Sequence, residues 1–152
     1  MCWCGKLEDK KVATEDIKVK KILDKFMGVY YAYYQEWFEY KLGEVYETTV
    51  EPRVHKFIEG VYLIDNGFHS YAWDMEMKSQ CGGDILVKCP RPNGGQTVYA
   101  NYGKYGGNNK IAVMECTIPK GTVYWENQVG EIVSEKLIIE EEIYVEDDCN
   151  FC

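Results

Sequence analysis

Two segments of this chain alternate apolar and polar residues with a period of two, and this pattern constrains the fold more than any other feature. Residues 15–23 (EDIKVKKIL) alternate Ile17, Val19 and, less cleanly, Ile22 with lysines, and Lys110–Ile118 (KIAVMECTI) alternates well. Successive side chains of a strand point to opposite faces of its sheet, so this alternation is typical of a half-buried strand. Each segment therefore predicts a β-strand.

Further strands are expected where short apolar or aromatic runs lie between turn-forming residues. The additional strand segments are residues 61–64, 85–89, 123–125, 132–133 and 137–145. The ring-rich residues 29–47 would carry aromatic side chains on both faces, which favours extended structure over a helix. Turns are expected at residues 42–44, 65–67 and 119–121. The Gly-, Asn- and Tyr-rich residues 92–109 predict either a long hairpin or a loop.

One helix is expected directly after the turn at residues 65–67. Ser70 can cap a helix that runs from about Tyr71 to Gln80, and Gly82-Gly83 would end it. One or two further short helical turns would complete the helical content. The predicted fold class is therefore α+β, with a mostly antiparallel sheet and one clear helix at about 71–80.

Length and composition indicate one domain with a packed core. A chain of 152 residues can bury roughly two thirds of the surface that its unfolded form exposes. Hydrophobic residues make up 46% of the chain and aromatic residues 14%, far from the composition of a disordered protein. We expect a single domain over residues 1–152, in which residues 1–12 and 146–152 are the flexible parts.

The charge distribution limits the possible partners. The net charge is -8, and acidic residues crowd the last part of the chain. Such a surface repels phosphate backbones, so no nucleic-acid polymer is expected as a partner. The chain has neither an apolar run as long as a transmembrane helix nor the apolar stretch of a signal peptide. We therefore expect no membrane partner and a cytoplasmic location, and a homo-oligomer is compatible with the sequence.

Four cysteines form two pairs at opposite ends of the chain: Cys2 with Cys4, and Cys149 with Cys152. Chain termini of one domain are often close in space, and four thiolates at such spacings could close a structural zinc site. The alternative is that these residues are exposed thiols on frayed termini. Zinc is the one cofactor that the sequence leaves open, and no other cofactor is expected.

His69 lies in the motif GFHSY, at the junction between the predicted turn and the predicted helix. The positive end of a helix dipole would lower the pKa of an imidazole there, and a neutral ring could bind a ligand or relay a proton. The alternative is a histidine that hydrogen-bonds the neighbouring backbone and locks the turn.

The chain is also rich in tyrosine and tryptophan. Rings with a polar group suit stacking on a nucleobase or filling a protein interface, and ordinary sheet packing is the alternative. Combining the rings with the His69 junction gives the candidate ligand-binding residues, which are His69, Ser70, Tyr71, Tyr99, Tyr102, Tyr105 and Trp125. The chain contains no nucleophile elbow, P-loop, dinucleotide fingerprint or metalloprotease helix. The common catalytic families are therefore disfavoured.

An ordered series of motifs, MCWC, EDIKVKKIL, FEYKLGEVYE, GFHSY and IPKGTVYWENQVGEIVSEKLII, resembles a family of small uncharacterised proteins of gut Bacteroidales and their phages. The resemblance spans nearly the whole chain and implies a phage or mobile-element origin, with the host cytoplasm as the location. It implies no activity.

A second resemblance is to the ADP-ribosyltransferase fold. In that fold an early strand carries an Arg or His, a middle strand a Ser or Thr, and a late strand a Glu. The resemblance implies that Ser70 matches the second element and Glu131 or Glu135 the third, while the first element has only lysines as counterparts. For an enzyme of this kind, the candidate catalytic residues are His69, Ser70, Glu131 and Glu135.

Three hypotheses for the function remain. The first is a non-enzymatic protein that binds a small ligand, such as a nucleotide, and counteracts host defence by sequestering a nucleotide signal. The second is an ADP-ribosyltransferase-like enzyme that uses NAD. The third is a protein-protein interaction module that uses exposed rings and the acidic C-terminal residues.

Overall fold

The computed structural model of this chain describes residues 3–33, 38–80, 84–90, 100–102 and 109–145. Within these residues the chain forms sixteen strands and one 3-10 turn, Leu7–Asp9. The strands are β1 (Trp3–Gly5), β2 (Lys10–Val12), β3 (Ile17–Phe26), β4 (Val29–Ala32), β5 (Glu39–Tyr40), β6 (Val45–Glu47), β7 (Arg53–Val54), β8 (Tyr62–Ile64), β9 (Phe68–Ala72), β10 (Glu76–Gln80), β11 (Asp84–Lys88), β12 (Ala100–Tyr102), β13 (Lys110–Ile118), β14 (Val123–Glu126), β15 (Glu131–Ser134) and β16 (Lys136–Val145).

The strands form one large sheet and two small ones, and every pair is antiparallel. The large sheet has ten strands in the order β2-β14-β15-β9-β3-β13-β16-β6, and β4 pairs with β3 and β5 beside this path. The small sheets have the orders β1-β8-β7 and β10-β11-β12. The described part of the chain has no helix long and apolar enough to cross a membrane.

The centre of the large sheet is the pair of β3 and β13. Their register is continuous from Lys110 opposite Lys25 to Ile118 opposite Ile17. Four consecutive residues of β13, Ile111 to Met114, are buried, which is typical of a strand that is covered on both faces. The larger of two hydrophobic clusters therefore forms around this pair.

The smaller cluster joins the β1-β8-β7 sheet to the large sheet. It contains Trp3, Val50, Ile64, Trp125 and Val133, all of them buried. The rings of Trp3 and Trp125 meet edge to face with centroids 5.8 Å apart. Trp3 Nε1 also donates a 3.0 Å hydrogen bond to the carbonyl oxygen of Glu131, so the indole N–H is satisfied inside the core.

The expected α+β class is wrong, because the structure is 60% strand and 3% helical and its described residues contain no helix of seven or more residues. Residues 71–80 form the end of β9, a turn and β10. Ser70 does not cap a helix, because it lies inside β9 opposite Ile132 of β15. Met75 N donates to Ala72 O at 3.1 Å to close the turn, and β10 then pairs with β11. Strand pairing on both sides outweighs the local helix signals.

The strands expected from alternation are confirmed. The expected strand Lys110–Ile118 has the bounds of β13. The strand expected over residues 15–23 corresponds to β3, which begins two residues later and ends three residues later. The described part of the ring-rich residues 29–47 contains three short strands, β4, β5 and β6, and the expected turn at residues 42–44 lies between the last two. Of residues 92–109, the structure describes β12 and Asn109, and the rest lie outside the described residues.

Candidate functional site

A cavity of about 570 Å³ opens beside the central strand β3 and is the candidate site. Its position follows from the pairing of β3, whose partner on one side changes along the strand. Val19 and Lys20 pair with β9, whereas Leu23 to Phe26 pair with β4. Lys21 and Ile22 lie where one partner ends and the other begins, so the sheet has a gap there. The residues that line the cavity are Lys21, Ile22, Ala32, Tyr33, Phe38, Tyr40, Tyr46, Glu47, Thr48, Asp65, Asn66, Gly67, Phe68, His69 and Tyr71.

Lys21 is the unusual residue of this cavity. It shares a face of β3 with Val19 and Leu23, and it lies opposite Met114 of β13, which is buried. Only 8% of Lys21 is exposed. The ammonium group Nζ donates a 2.6 Å hydrogen bond to the carbonyl oxygen of His69 and lies 5.4 Å from the centre of the Tyr40 ring.

The bond from Lys21 to His69 compensates for the end of the strand pairing. Ala72 N donates to Gly130 O on the β15 side of β9. Backbone groups alternate in direction along a strand, so the carbonyl group of His69 points to the opposite side, towards β3. The register between β3 and β9 stops at Lys20 opposite Tyr71. The Lys21 side chain thus supplies a donor where the ladder supplies none.

The Lys21 charge has no carboxylate partner in the described structure. Burial lowers the pKa of its ammonium group from 10.5 to about 8. The nearby thiol of Cys116 does not balance the charge, because burial raises the pKa of that thiol to about 12 and it stays neutral. A buried charge without a counterion is unfavourable, so this position is costly for the empty protein.

The two carboxylates on the cavity wall are each paired with another cation. Glu47 forms an ion pair with Lys136 at 3.7 Å, and Asp65 forms one with Arg53 at 3.0 Å. Among the described residues that line the cavity, the ammonium group of Lys21 is therefore the uncompensated charge.

His69 is neutral at physiological pH. Burial first, and then the positive charge of Lys21, lower the pKa of its imidazole to about 4. The Nε2 atom lies 3.2 Å from the carbonyl oxygen of Asn66. Because a carbonyl oxygen only accepts, Nε2 carries the proton and Nδ1 is the acceptor. The sequence predicted a lowered pKa from a helix dipole, but the cause is burial beside Lys21 within a strand.

Aromatic rings form the other wall of the cavity. Tyr40 meets Phe38 and Tyr46 edge to face, each with centroids 4.9 Å apart, and Tyr46 also contacts Phe68 at 6.3 Å. Edge-to-face contacts hold ring planes in fixed orientations. Burial raises the pKa of the Tyr40 hydroxyl, so this wall stays uncharged.

The turn before β9 forms part of the cavity wall. Gly67 has a φ of +83°, which confirms the expected turn at residues 65–67. A Cβ atom on Gly67 would lie 2.8 Å from a methyl group of Val133 and 2.8 Å from one of Val50. The Asn66 side chain accepts from Glu51 N at 2.9 Å and donates to Thr49 O at 2.6 Å. The turn is thus fixed against the segment that follows β6.

The candidate ligand-binding residues from the sequence are only partly brought together. His69 and Tyr71 line the cavity. Ser70 is buried, and its hydroxyl has no hydrogen-bond partner within the described residues. Trp125 lies in the cluster with Trp3. Tyr102 belongs to β12, and Tyr99 and Tyr105 lie outside the described residues.

The candidate catalytic carboxylates have structural partners. Glu131 is buried and accepts a 2.8 Å hydrogen bond from the side chain of Asn127, and Glu135 accepts one of 2.8 Å from Val50 N. Glu131 lies opposite Tyr71, so its side chain and that of Ser70 extend from opposite faces of the large sheet.

Of the four proposed zinc ligands, the structure describes one. Cys4 lies exposed on β1, while Cys2, Cys149 and Cys152 lie outside the described residues. Among the residues that the structure does describe, no group of three or more His, Cys, Asp or Glu side chains is placed to hold a metal ion.

Lys21 is the residue that sequence reasoning missed. Its lysine neighbours suggested a solvated face, but Lys21 has the same parity as Ile17 and Val19. A lysine on the apolar parity of an alternating strand was the available signal.

None of the protein-family models, curated proteins and solved structures compared with this chain matches it.

Proposed function

We propose that this protein is a non-enzymatic binding protein that holds a small anionic ligand with a planar ring, such as a nucleotide, in the Lys21 cavity. The observation that carries the proposal is the buried Lys21 ammonium group at the wall of a cavity, which has one hydrogen-bond acceptor and no carboxylate partner among the residues that the structure describes. An anionic ligand would supply the missing counterion. In a phage or mobile-element setting, such binding would sequester a nucleotide signal.

The rest of the cavity fits the uncharged part of such a ligand. Its volume of about 570 Å³ lies within the usual range for small-molecule sites. Phe38, Tyr40 and Tyr46 offer aromatic surface for a ring. The neutral His69 ring adds polarity without repelling or attracting an anion strongly.

The overall charge favours ligands with few negative charges. A net charge of -8 disfavours the approach of polyanions, whereas one buried cation can still bind one anionic group at close range. We therefore expect cyclic nucleotides and nucleoside monophosphates to bind better than nucleoside triphosphates.

The test is ligand-induced thermal stabilisation with a panel that contains adenosine, AMP, cyclic AMP, ADP-ribose and ATP. We expect AMP or cyclic AMP at millimolar concentration to raise the melting temperature and adenosine to raise it much less, because adenosine lacks the anionic group. Lys21→Met should remove this difference and weaken nucleotide binding at least tenfold by isothermal titration calorimetry.

The matched control is Lys18→Met on the same strand. Lys18 is exposed and pairs with Glu115 at 3.1 Å, so its loss removes the same formal charge away from the cavity. This variant should keep the nucleotide response. The proposal is wrong if no member of the panel shifts the wild-type transition, or if Lys21→Met responds as the wild type does.

A further inference from the structure

We infer that Lys21 captures a carbonyl-bearing ligand as an imine, so the ligand class of this cavity is an aldehyde or ketone that also carries an anionic group. The inference rests on the proposed function for the location of the ligand and adds a covalent bond to it. Its basis is the placement of a primary amine in the wall of an aromatic-lined cavity, where its one acceptor within the described part of the chain is a backbone carbonyl group.

The surroundings of Lys21 set it apart from the neighbouring lysines of β3. Lys18 is exposed and paired with Glu115. Lys20 donates to the carbonyl oxygen of Met75 at 3.0 Å, and its ammonium group lies 5.0 Å from the Trp73 ring centre, outside the cavity. Lys21 alone of these three residues lines the cavity.

Imine formation needs the neutral amine, and the surroundings of Lys21 favour that form. Burial lowers its pKa to about 8, so roughly a tenth of the molecules carry a neutral amine at pH 7. A lysine with an ordinary pKa has roughly one neutral molecule in three thousand at that pH. Burial without a carboxylate is a known way to activate lysine as a nucleophile.

The reaction balances without an oxidant or a reductant. The Nζ lone pair attacks the carbonyl carbon, a C–N bond forms, and the carbonyl π pair moves to oxygen to give a carbinolamine. The nitrogen loses a proton and the departing hydroxyl group gains one. Water leaves as the C=N bond forms, so the products are one imine and one water molecule.

The protonated imine would keep the interactions that the ammonium group makes. Its nitrogen retains one N–H, which can donate to the carbonyl oxygen of His69 as Lys21 Nζ does at 2.6 Å. Its positive charge can still pair with the anionic group of the ligand. The covalent bond and the ionic contact are therefore compatible in one complex.

The experiment compares two probes that differ at the reacting group. Pyridoxal 5'-phosphate carries a ring, a phosphate and an aldehyde, whereas pyridoxine 5'-phosphate has an alcohol in place of the aldehyde. The protein is incubated with one equivalent of pyridoxal 5'-phosphate, reduced with borohydride, and analysed by intact mass and by peptide fragmentation that separates Lys20 from Lys21. We expect one adduct, at Lys21.

Two variants define the expected pattern. Lys21→Arg keeps the positive charge and cannot form an imine, so it should lose the adduct. Lys18→Met should retain it. The rate of trapping should rise about tenfold between pH 6 and pH 7 as neutral amine accumulates, whereas an exposed lysine would continue to gain rate well above pH 9.

The possible outcomes separate this inference from the proposed function. Thermal stabilisation by pyridoxine 5'-phosphate without an adduct at Lys21 would overturn the imine and leave anion binding intact. An adduct spread over several exposed lysines would also overturn it. If neither probe stabilises the wild-type protein and no adduct forms, the imine fails, and the nucleotide panel decides the proposed function separately. Peptide mapping of the wild type decides the matter even where a variant does not fold.

Discussion

Replacing Lys21 by methionine should stabilise the empty protein at neutral pH. Burial lowers the pKa of Lys21 from 10.5 to about 8, and this difference corresponds to about 3 kcal/mol of unfavourable free energy for the charged form. The substitution also removes the hydrogen bond to the carbonyl oxygen of His69, which offsets about 1 to 2 kcal/mol. We expect a net gain of about 1 to 2 kcal/mol in the free energy of unfolding.

The pH dependence of this gain identifies its origin. Below pH 8 the lysine is protonated in both the folded and the unfolded state, so the full burial penalty is present. Between pH 8 and 10.5 the unfolded state binds more protons than the folded state, so the wild-type stability rises with pH. The advantage of Lys21→Met should therefore shrink over this window.

Urea unfolding followed by tryptophan fluorescence provides the measurement, since Trp3 and Trp125 are buried together. Curves at pH 7 and pH 10 are recorded for the wild type, Lys21→Met and the exposed control Lys18→Met. Subtracting the wild-type values removes the titration of the tyrosines, which all three proteins share. A Lys21→Met variant that is less stable than the wild type at pH 7, or whose difference does not change with pH, would refute the reasoning.

Two further predictions concern His69 and Gly67, which line the cavity. Burial and Lys21 lower the pKa of His69 to about 4, so between pH 6.5 and 4 only the unfolded state binds this proton. The free energy of unfolding of the wild type should therefore fall by up to about 3 kcal/mol as the pH is lowered across that window. His69→Gln should lose less, as measured by the same urea titrations. Gly67→Ala should destabilise by about 2 to 3 kcal/mol in thermal unfolding, because it combines a left-handed backbone with contacts on Val50 and Val133. The control Gly43→Ala has a similar φ of +79° in open space and should cost about 1 kcal/mol; equal costs would contradict the packing argument.

Most strands could be predicted from the sequence because their alternation is local. β13 and β3 show a period of two within their own residues, and the turn at Gly67 is marked by residues that tolerate a positive φ. These features need no knowledge of the partner strand. The division of the chain into strands and turns is therefore largely encoded in short segments.

The helix at 71–80 was predicted wrongly because the deciding interactions are strand pairings, some of them distant in sequence. The rules for a helix are met by Ser70 as the cap, by the acidic residues Asp74 and Glu76 and by the pair Gly82-Gly83. The same residues satisfy more backbone groups as strands, since β9 pairs with β3 and β15 and β10 pairs with β11. β11 begins only four residues after the end of β10, but β15 lies more than fifty residues away, so the local sequence can show at most the first of these pairings.

Only part of the candidate site could be predicted from the sequence, because the rest depends on contacts between distant segments. His69 and Tyr71 were found because the GFHSY motif stands out locally. The cavity itself depends on the change of partner along β3, which only the tertiary structure shows. Lys21 was missed because it lies close to Lys18 and Lys20 in the sequence and looks solvated like them. Its burial becomes evident only when the opposite strand is known to be buried.

Lys21 links the stability of the protein to its proposed function. Methionine is close to lysine in length and would suit a strand position opposite Met114. The burial penalty of the ammonium group exceeds what its hydrogen bond to the His69 carbonyl oxygen contributes, so folding alone does not favour lysine there. Sequences usually depart from the rules of core packing where function requires it. A penalty of about 3 kcal/mol is a large share of the stability of an ordinary domain, and a bound anion can recover it. The same measurement of Lys21→Met thus tests both ideas: the variant should be the more stable protein when empty and should lose that advantage when a binding anion is present.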